Sequence, residues 1–206
     1  KLSNELFVGA GFTEIEIPEN IKEIGEYTFN GCPNLKNVKI LNDDLVLGPH
    51  CFADCNDLEN INLPKNLTVI PRWCFSVCND MKNIVIPESV TTIEENAFAY
   101  CSSLESLHFG KNLNSIDATA FTKINCFPTI SKDNPVYYTE SNCIIDRTSK
   151  TLVYGNEQSL IPSDGSVERI GNSAFIYCLD LKSIVIPDNV VSIGNSAFMG
   201  CENLEN

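Results

Sequence analysis

Ten cysteines and two histidines hold most of the reactive chemistry available to this 206-residue chain. A cysteine thiolate is a nucleophile and a metal ligand, and paired cysteines form disulfides. The spacing argues against all three uses. No Cys-x-x-Cys pair occurs. Cys32, Cys55, Cys78, Cys101, Cys178 and Cys201 share one column of a periodic pattern. Cys51 and Cys74 share a second column, where Ala97, Ala120, Ala174 and Ala197 stand elsewhere. A position that takes either Cys or Ala asks for a small buried apolar group. Stacked columns place such cysteines ~4.8 Å apart, within disulfide range between Cα atoms, but with parallel Cβ vectors that do not converge as a bridge requires. Free thiols are expected, with no zinc and no cofactor. His50 adjoins Cys51 and raises the possibility of a Cys–His nucleophile. That pair sits in the turn Gly48-Pro49-His50-Cys51, neighbours in sequence rarely face each other, and Cys51 belongs to the buried column. His108 falls on the outward row of a predicted strand, where it is free to touch a ligand or water. No catalytic residue is expected, and the chain reads as a non-enzyme.

The elements that position these residues follow from the repeat. Phe29, Phe52, Phe75, Phe98 and Phe121 are each 23 residues apart, and Phe175 and Phe198 repeat that step. A large apolar residue follows six positions later, at Leu35, Leu58, Met81, Leu104, Phe127, Leu181 and Leu204. Alternating pairs come next: Val38 and Ile40, Ile61 and Leu63, Ile84 and Ile86, Leu107 and Phe109, Ile184 and Ile186. Alternation of this kind marks a short strand with one buried face. Pro18, Pro64, Pro87 and Pro187 follow and end the ladder, because proline lacks an N–H. An aliphatic column closes each unit at Ile24, Leu47, Ile70, Ile93, Ile116, Ile170 and Ile193. One such coil cannot bury its own apolar side, so coils must stack as a solenoid. The expected class is an α/β-type solenoid with one parallel strand per coil and irregular or short helical returns. All of residues 1–206 belong to it, from a degenerate first coil at 1–17 to a coil that stops from 204.

The period lies within the range of leucine-rich repeats. Asn20, Asn66, Asn112 and Asn189 stand where that repeat keeps its asparagine, with Asp43 and Ser89 substituting. Their short polar side chains suit bonds to backbone groups of a neighbouring coil. Asn66-Leu67-Thr68 matches a glycosylation sequon, but a ladder asparagine is expected to be buried and unmodified. The stretches Ile84–Cys101 (IVIPESVTTIEENAFAYC) and Ile184–Cys201 (IVIPDNVVSIGNSAFMGC) resemble the BspA-type leucine-rich repeat family, and the resemblance covers nearly the whole chain. It implies a binding module, since known members are mostly surface or secreted proteins associated with adhesion and host or matrix binding. It transfers no specific ligand.

The repeat breaks once. From Phe121 to Phe175 the gap is 54, two periods and eight extra residues. The expanded coil, about 127–165, holds Asn134-Pro135, a turn signal. Two β-prone runs, Cys143–Ile145 and Thr151–Tyr154, flank Asp146–Lys150 and read as a hairpin. The family resemblance extends to this segment. It reads as a tolerated variant of the coil or as a ligand-contact element, since insertions in repeats map to one face. The candidate contacts are Tyr137, Tyr138 and Tyr154, whose rings stack on sugars or anchor protein partners, with His108 and Ser131 on nearby outward rows. If Tyr137 packs inward, alternation turns Tyr138 outward. At the chain start, Leu6, Gly9 and Phe12 are assigned to the Phe, Cys and Leu columns.

The exposed strand face reads Glu14, Asn37, Asn60, Asn83, Ser106, Thr129 and Ser183 in one row. The second row is Glu16, Lys39, Asn62, Val85, His108, Ser131 and Val185. Such a face offers hydrogen bonds with little net charge and suits glycan hydroxyls, peptide backbone or plain solvation. Lys36, Glu59, Lys82 and Glu105 alternate in sign and fix register through cross-strand pairs. A parallel β-helix carbohydrase needs a catalytic Asp or Arg cluster that these rows lack. The net charge of −13 disfavours nucleic acid and anionic membrane surfaces, and no apolar run reaches the ~18 residues of a span. There is no signal-peptide pattern in this stretch. The expected protein is a monomeric, secreted or cell-surface module for a protein or glycan ligand. The alternative is an intracellular scaffold, which ten free thiols favour.

Overall fold

The computed structural model describes residues 1–206. Two compact units divide the chain, Lys1–Pro128 and Thr129–Asn206. The division falls where the expanded coil begins.

In the first unit the alternating segments form β1 (Glu14–Ile17), then β3 (Asn37–Ile40) and β5 (Asn60–Ile61), with β2 (Glu23–Ile24) and β4 (Val46–Leu47) between them. β6 (Val69–Ile70), β7 (Thr92–Ile93), β8 (His108–Phe109) and β9 (Ser115–Ile116) follow. Parallel β1–β3–β5 place Glu14 beside Asn37 and Asn37 beside Asn60, a register of one repeat. A second parallel row runs β2–β4 and then β6–β7–β9. Most coils of this unit thus carry two short strand segments where the alternation marked one; the coil of Asn83 keeps only a single bridge, to Ser106, in place of the first. The extra row is the aliphatic column, whose Ile24, Ile70 and Ile93 are at most 1% exposed.

The returns are irregular, apart from a single-turn 3₁₀ helix at Ala118–Phe121 capped by Asp117. They are built from residues in left-handed backbone geometry: Tyr27, His50, Trp73 and Asn96 in one column, and Gly31, Asp54, Val77 and Tyr100 in the next. Bonds between coils hold that geometry. Tyr27, Phe29 and Gly31 donate their N–H groups to the carbonyls of Pro49, Cys51 and Ala53, and the pattern repeats coil by coil. Every second backbone donor of the return is thereby satisfied without a helix.

The phenylalanine column packs as a stack. Phe7, Phe29, Phe52, Phe75 and Phe98 lie 5.2–5.8 Å apart, centroid to centroid, with near-parallel planes. Phe7, not Leu6, heads it. Leu6 is 48% exposed, because the first coil is one residue short between Ala10 and Phe12. Toward Phe121 the row changes, because Phe109 stands in the strand column where other coils carry Ile or Leu. Its ring lies 6.5 Å from Phe98 and 5.6 Å from Phe121, tilted to both. The cysteine column is a thiol ladder. Cys55, Cys78 and Cys101 donate to the carbonyls of Phe29, Phe52 and Phe75 at 3.0–3.3 Å. All ten cysteines are free thiols, and Cys51 and Cys74 meet sulfur to sulfur at 3.4 Å.

The asparagine column behaves as a ladder but not as a buried one. Asn112 donates to the Glu88 carbonyl at 2.8 Å and Ser89 to those of Lys65 and Leu67. Asn66 is exposed and donates to Asp44 at 2.7 Å. The expectation that Asn66 is buried is corrected: this turn follows the proline that ends the strand, and it lies at the surface.

In the second unit the hairpin is formed. β10 (Thr129–Ile130) precedes β11 (Tyr137–Glu140), β12 (Cys143–Asp146) and β13 (Thr151–Gly155), and β14 (Arg169–Ile170) and β15 (Ser192–Ile193) follow. β11–β12–β13 are antiparallel, and β13–β14–β15 resume the parallel repeat. Asp146 Oδ1 accepts the N–H groups of Thr148 and Ser149 and fixes the hairpin tip. Gly155 stands where other coils carry Phe. Its N–H donates to the Ala174 carbonyl and its own carbonyl accepts from the Cys178 thiol. An added Cβ there would fall on the Phe175 ring and within 2.9 Å of Ser159 Oγ.

Candidate functional site

The outward faces of β1, β3 and β5 line a groove of about 780 Å³ in the first unit, bounded further along by Asn83 and Val85. Its floor is an amide ladder. Asn60 Nδ2 donates to Asn37 Oδ1 at 2.9 Å, and Asn83 Oδ1 accepts at 3.2 Å from Ser106 Oγ, which lies beyond the groove lining. Each bond uses only part of an amide's capacity of two donors and two acceptor lone pairs. Beside the ladder, Lys39 and Glu16 neutralise each other at 2.7 Å. Asn62 is structural. Its side chain accepts from the Ile40 N–H at 2.8 Å and donates to the Ile40 carbonyl at 2.7 Å. It takes the place of a backbone partner, so β5 ends at Ile61. Val85 is 84% exposed. A smaller hollow of about 480 Å³ adjoins, lined by Glu59, Asn60, Asp80, Lys82, Asn83 and Ser103. The alternating charges begin as expected, with Lys36 and Glu59 paired at 3.1 Å.

The sequence candidates divide between the units. His108 is exposed on β8 of the first unit. In the second, Tyr137 and Tyr154 are 6% and 7% exposed. Their assignment as ligand contacts is corrected, because the hairpin turns both into the core, Tyr154 opposite Ile144. Tyr138 is the outward member of its pair. It is half-buried, packs on the cluster around Cys143, Ile145 and Leu152, and carries the Arg147 guanidinium over its ring at 4.5 Å. Ser131 is half-buried.

Eight of the ten cysteines are buried and all are free thiols. Burial pushes the thiols of Cys74, Cys78 and Cys178 up, that of Cys143 to about 11 and that of Cys101 to about 12, opposite to an activated nucleophile; Cys32 is shifted the other way, lowered chiefly by its hydrogen bond with the Cys55 thiol, but its side chain is fully buried. His50 faces Tyr27 and Trp73 rather than Cys51, with ring centroids at 4.3 and 5.8 Å. No group of three or more His, Cys, Asp or Glu side chains is placed to hold a metal ion. The ring row Tyr27–His50–Trp73 is absent from the sequence reading. The same 23-residue step in residues two before each Phe would have found it.

Six copies of the repeat described as BspA type Leucine rich repeat region match residues 1–128 and 168–206. The chain belongs to the BspA-type leucine-rich repeat family. The unmatched stretch contains the hairpin, where the period is lost. A leucine-rich cell surface protein from Faecalibacterium prausnitzii is 27% identical, with a TM-score of 0.70 over 98% of this chain and 62% of that one. A leucine-rich repeat protein from Eubacterium ventriosum is 23% identical, with a TM-score of 0.75 over 92% of this chain and 51% of that one. The pneumococcal vaccine antigen PcpA is 22% identical, with a TM-score of 0.80 over 94% and 50%. The chain therefore spans between half and two thirds of these relatives. No curated protein sequence matches it. As a leucine-rich repeat protein, it has the fold of a protein-interaction module. No helix is long and apolar enough to cross a membrane.

Proposed function

We propose that this leucine-rich repeat protein is a non-catalytic adhesion module, secreted or held at a cell surface, and that it binds a protein or glycan of host or matrix on the strand face of its first unit. The observation that carries the reading is the groove over β1, β3 and β5, with its half-used amide ladder, paired charges and exposed Val85. Such a surface hydrogen-bonds a neutral polar ligand without a large desolvation cost. A surface location draws support from the 27%-identical relative described as a cell surface protein. A monomer is the expected state. The ten free thiols favour the second reading, an intracellular protein-interaction scaffold.

The test is a panel of immobilised matrix proteins and glycans. Each hit is measured again with Val85→Arg, Tyr138→Ala, His108→Ala and, as a control far from the groove in sequence, Leu160→Arg at a 74% exposed position. Loss with Val85→Arg alone supports the groove. Loss with Tyr138→Ala or His108→Ala alone moves the contact to the outward residues around the expanded coil. Hits lost only with Leu160→Arg contradict both placements.

A further inference from the structure

Tyr27, His50 and Trp73 stack face to face on three successive returns of the first unit. The planes are 18° apart between Tyr27 and His50 and 5° apart between His50 and Trp73. Each residue holds left-handed backbone geometry, with φ of 56°, 55° and 58°. Each donates its N–H to the next coil, at Pro49, Arg72 and Glu95. The rings are therefore fixed by the backbone and not by their own polar atoms. Tyr27 Oη, the His50 imidazole nitrogens and the Trp73 indole N–H bond to no group of the chain. Buried or half-buried Tyr and Trp normally find a partner for that polar end, and these residue types with Arg are the usual anchors of interfaces.

The rim is acidic. Glu26, Asp54 and Glu95 lie near enough to His50 to act on its charge, against the single guanidinium of Arg72. Arg72 reaches Glu26 at 3.6 Å, and its N–H donates to Glu94 at 2.9 Å. Burial, then Arg72, holds the His50 pKa below the ordinary histidine value despite those carboxylates, so the stack is uncharged at neutral pH. Aromatic faces bounded by carboxylates attract cations through the ring quadrupole and through charge, and Trp is the strongest such ring.

We propose that the Tyr27–His50–Trp73 stack and its carboxylate rim are a docking surface for a cationic segment of a partner protein, a Lys- or Arg-rich strand or loop. The site is separate from the strand-face groove, so its test does not depend on that assignment.

The chain has one tryptophan, so Trp73 emission reports the site directly. Labelled Arg-rich, Asp-rich and Ser/Gly-rich peptides of equal length are titrated against the folded protein. The expected result is binding of the Arg-rich peptide with a change in Trp73 emission. Trp73→Ala should weaken that binding about tenfold and Glu95→Gln should weaken it less, while Glu19→Gln, at an exposed carboxylate away from the rim, leaves it unchanged. Equal affinity for Trp73→Ala and wild type would mean general attraction to an acidic protein and would overturn the proposal. If Trp73→Ala does not fold, the wild-type emission decides: binding without any change in it overturns the proposal as well. Binding of the Asp-rich peptide as tightly as the Arg-rich one has the same consequence.

Discussion

At the scale of single residues, the cysteines were legible and the left-handed positions were not. Exchange of Cys for Ala within one column reveals a small buried site, and the thiols occupy such sites at 0% exposure for Cys51, Cys55, Cys74, Cys78 and Cys101. Native protein treated with a thiol reagent at pH 8 should label slowly, Cys126 and Cys201 first because they are half-buried, and denatured protein should show ten thiols. Several protected thiols after denaturation would contradict this. Stability should also fall at high pH. The folded pKa of Cys101 is raised to about 12 from an ordinary 9.0, so the unfolded chain loses its proton first. The contribution is complete below pH ~9 and is lost as pH rises toward ~12; chemical denaturation across that range checks it, and Cys101→Ala should fall less steeply. Val77 has a φ of 62°, a costly region for a β-branched residue. Nothing in its residue type announces that geometry; only the column does, since Gly31 and Gly200 occupy equivalent places. Val77→Gly should therefore match or exceed wild-type stability by up to ~1 kcal/mol, and a loss beyond ~1 kcal/mol in a denaturant melt would show that its packing outweighs the strain.

At the scale of elements, the strands and hairpin followed from period and turn chemistry, but their partners did not. Alternation around Val38 and Ile40 located β3, and the polar joint Asp146–Lys150 located the turn between β12 and β13. Alternation could not choose which of Tyr137 and Tyr138 faces inward, because both faces of this hairpin pack: Ile144 and Ile145 are each 0% exposed. Nor could it show that Phe109 joins the ring stack or that Gly155 replaces a ring. Two substitutions test these elements. Phe98→Ala removes a fully buried ring between Phe75 and Phe109 and should cost about 3–5 kcal/mol, read as a lower melting temperature of the first unit. Gly155→Ala drives a methyl into Phe175 and should cost about 1–3 kcal/mol in the second unit. An unchanged melt for either variant would mean that the column contacts do not carry stability.

For the whole molecule, composition excluded more than it assigned. A net charge of −13 disfavours nucleic acid, two histidines give little material for a His-based site, and the periodic columns describe a leucine-rich repeat. The groove was half legible: its Asn37, Asn60 and Asn83 row was readable from alternation, but the pairing of Lys39 with Glu16 and the backbone role of Asn62 depend on neighbouring coils. The ring stack on the opposite part of the coil sequence stayed hidden because its members differ in type. The most direct measurement of the central claim is hydrogen–deuterium exchange of the protein with and without the tightest ligand from the matrix and glycan panel. Slowed exchange confined to residues 37–40, 60–62 and 83–86 is the predicted result. Slowing only within 137–155, with the three strand segments unchanged, would contradict the assignment of binding to the strand face.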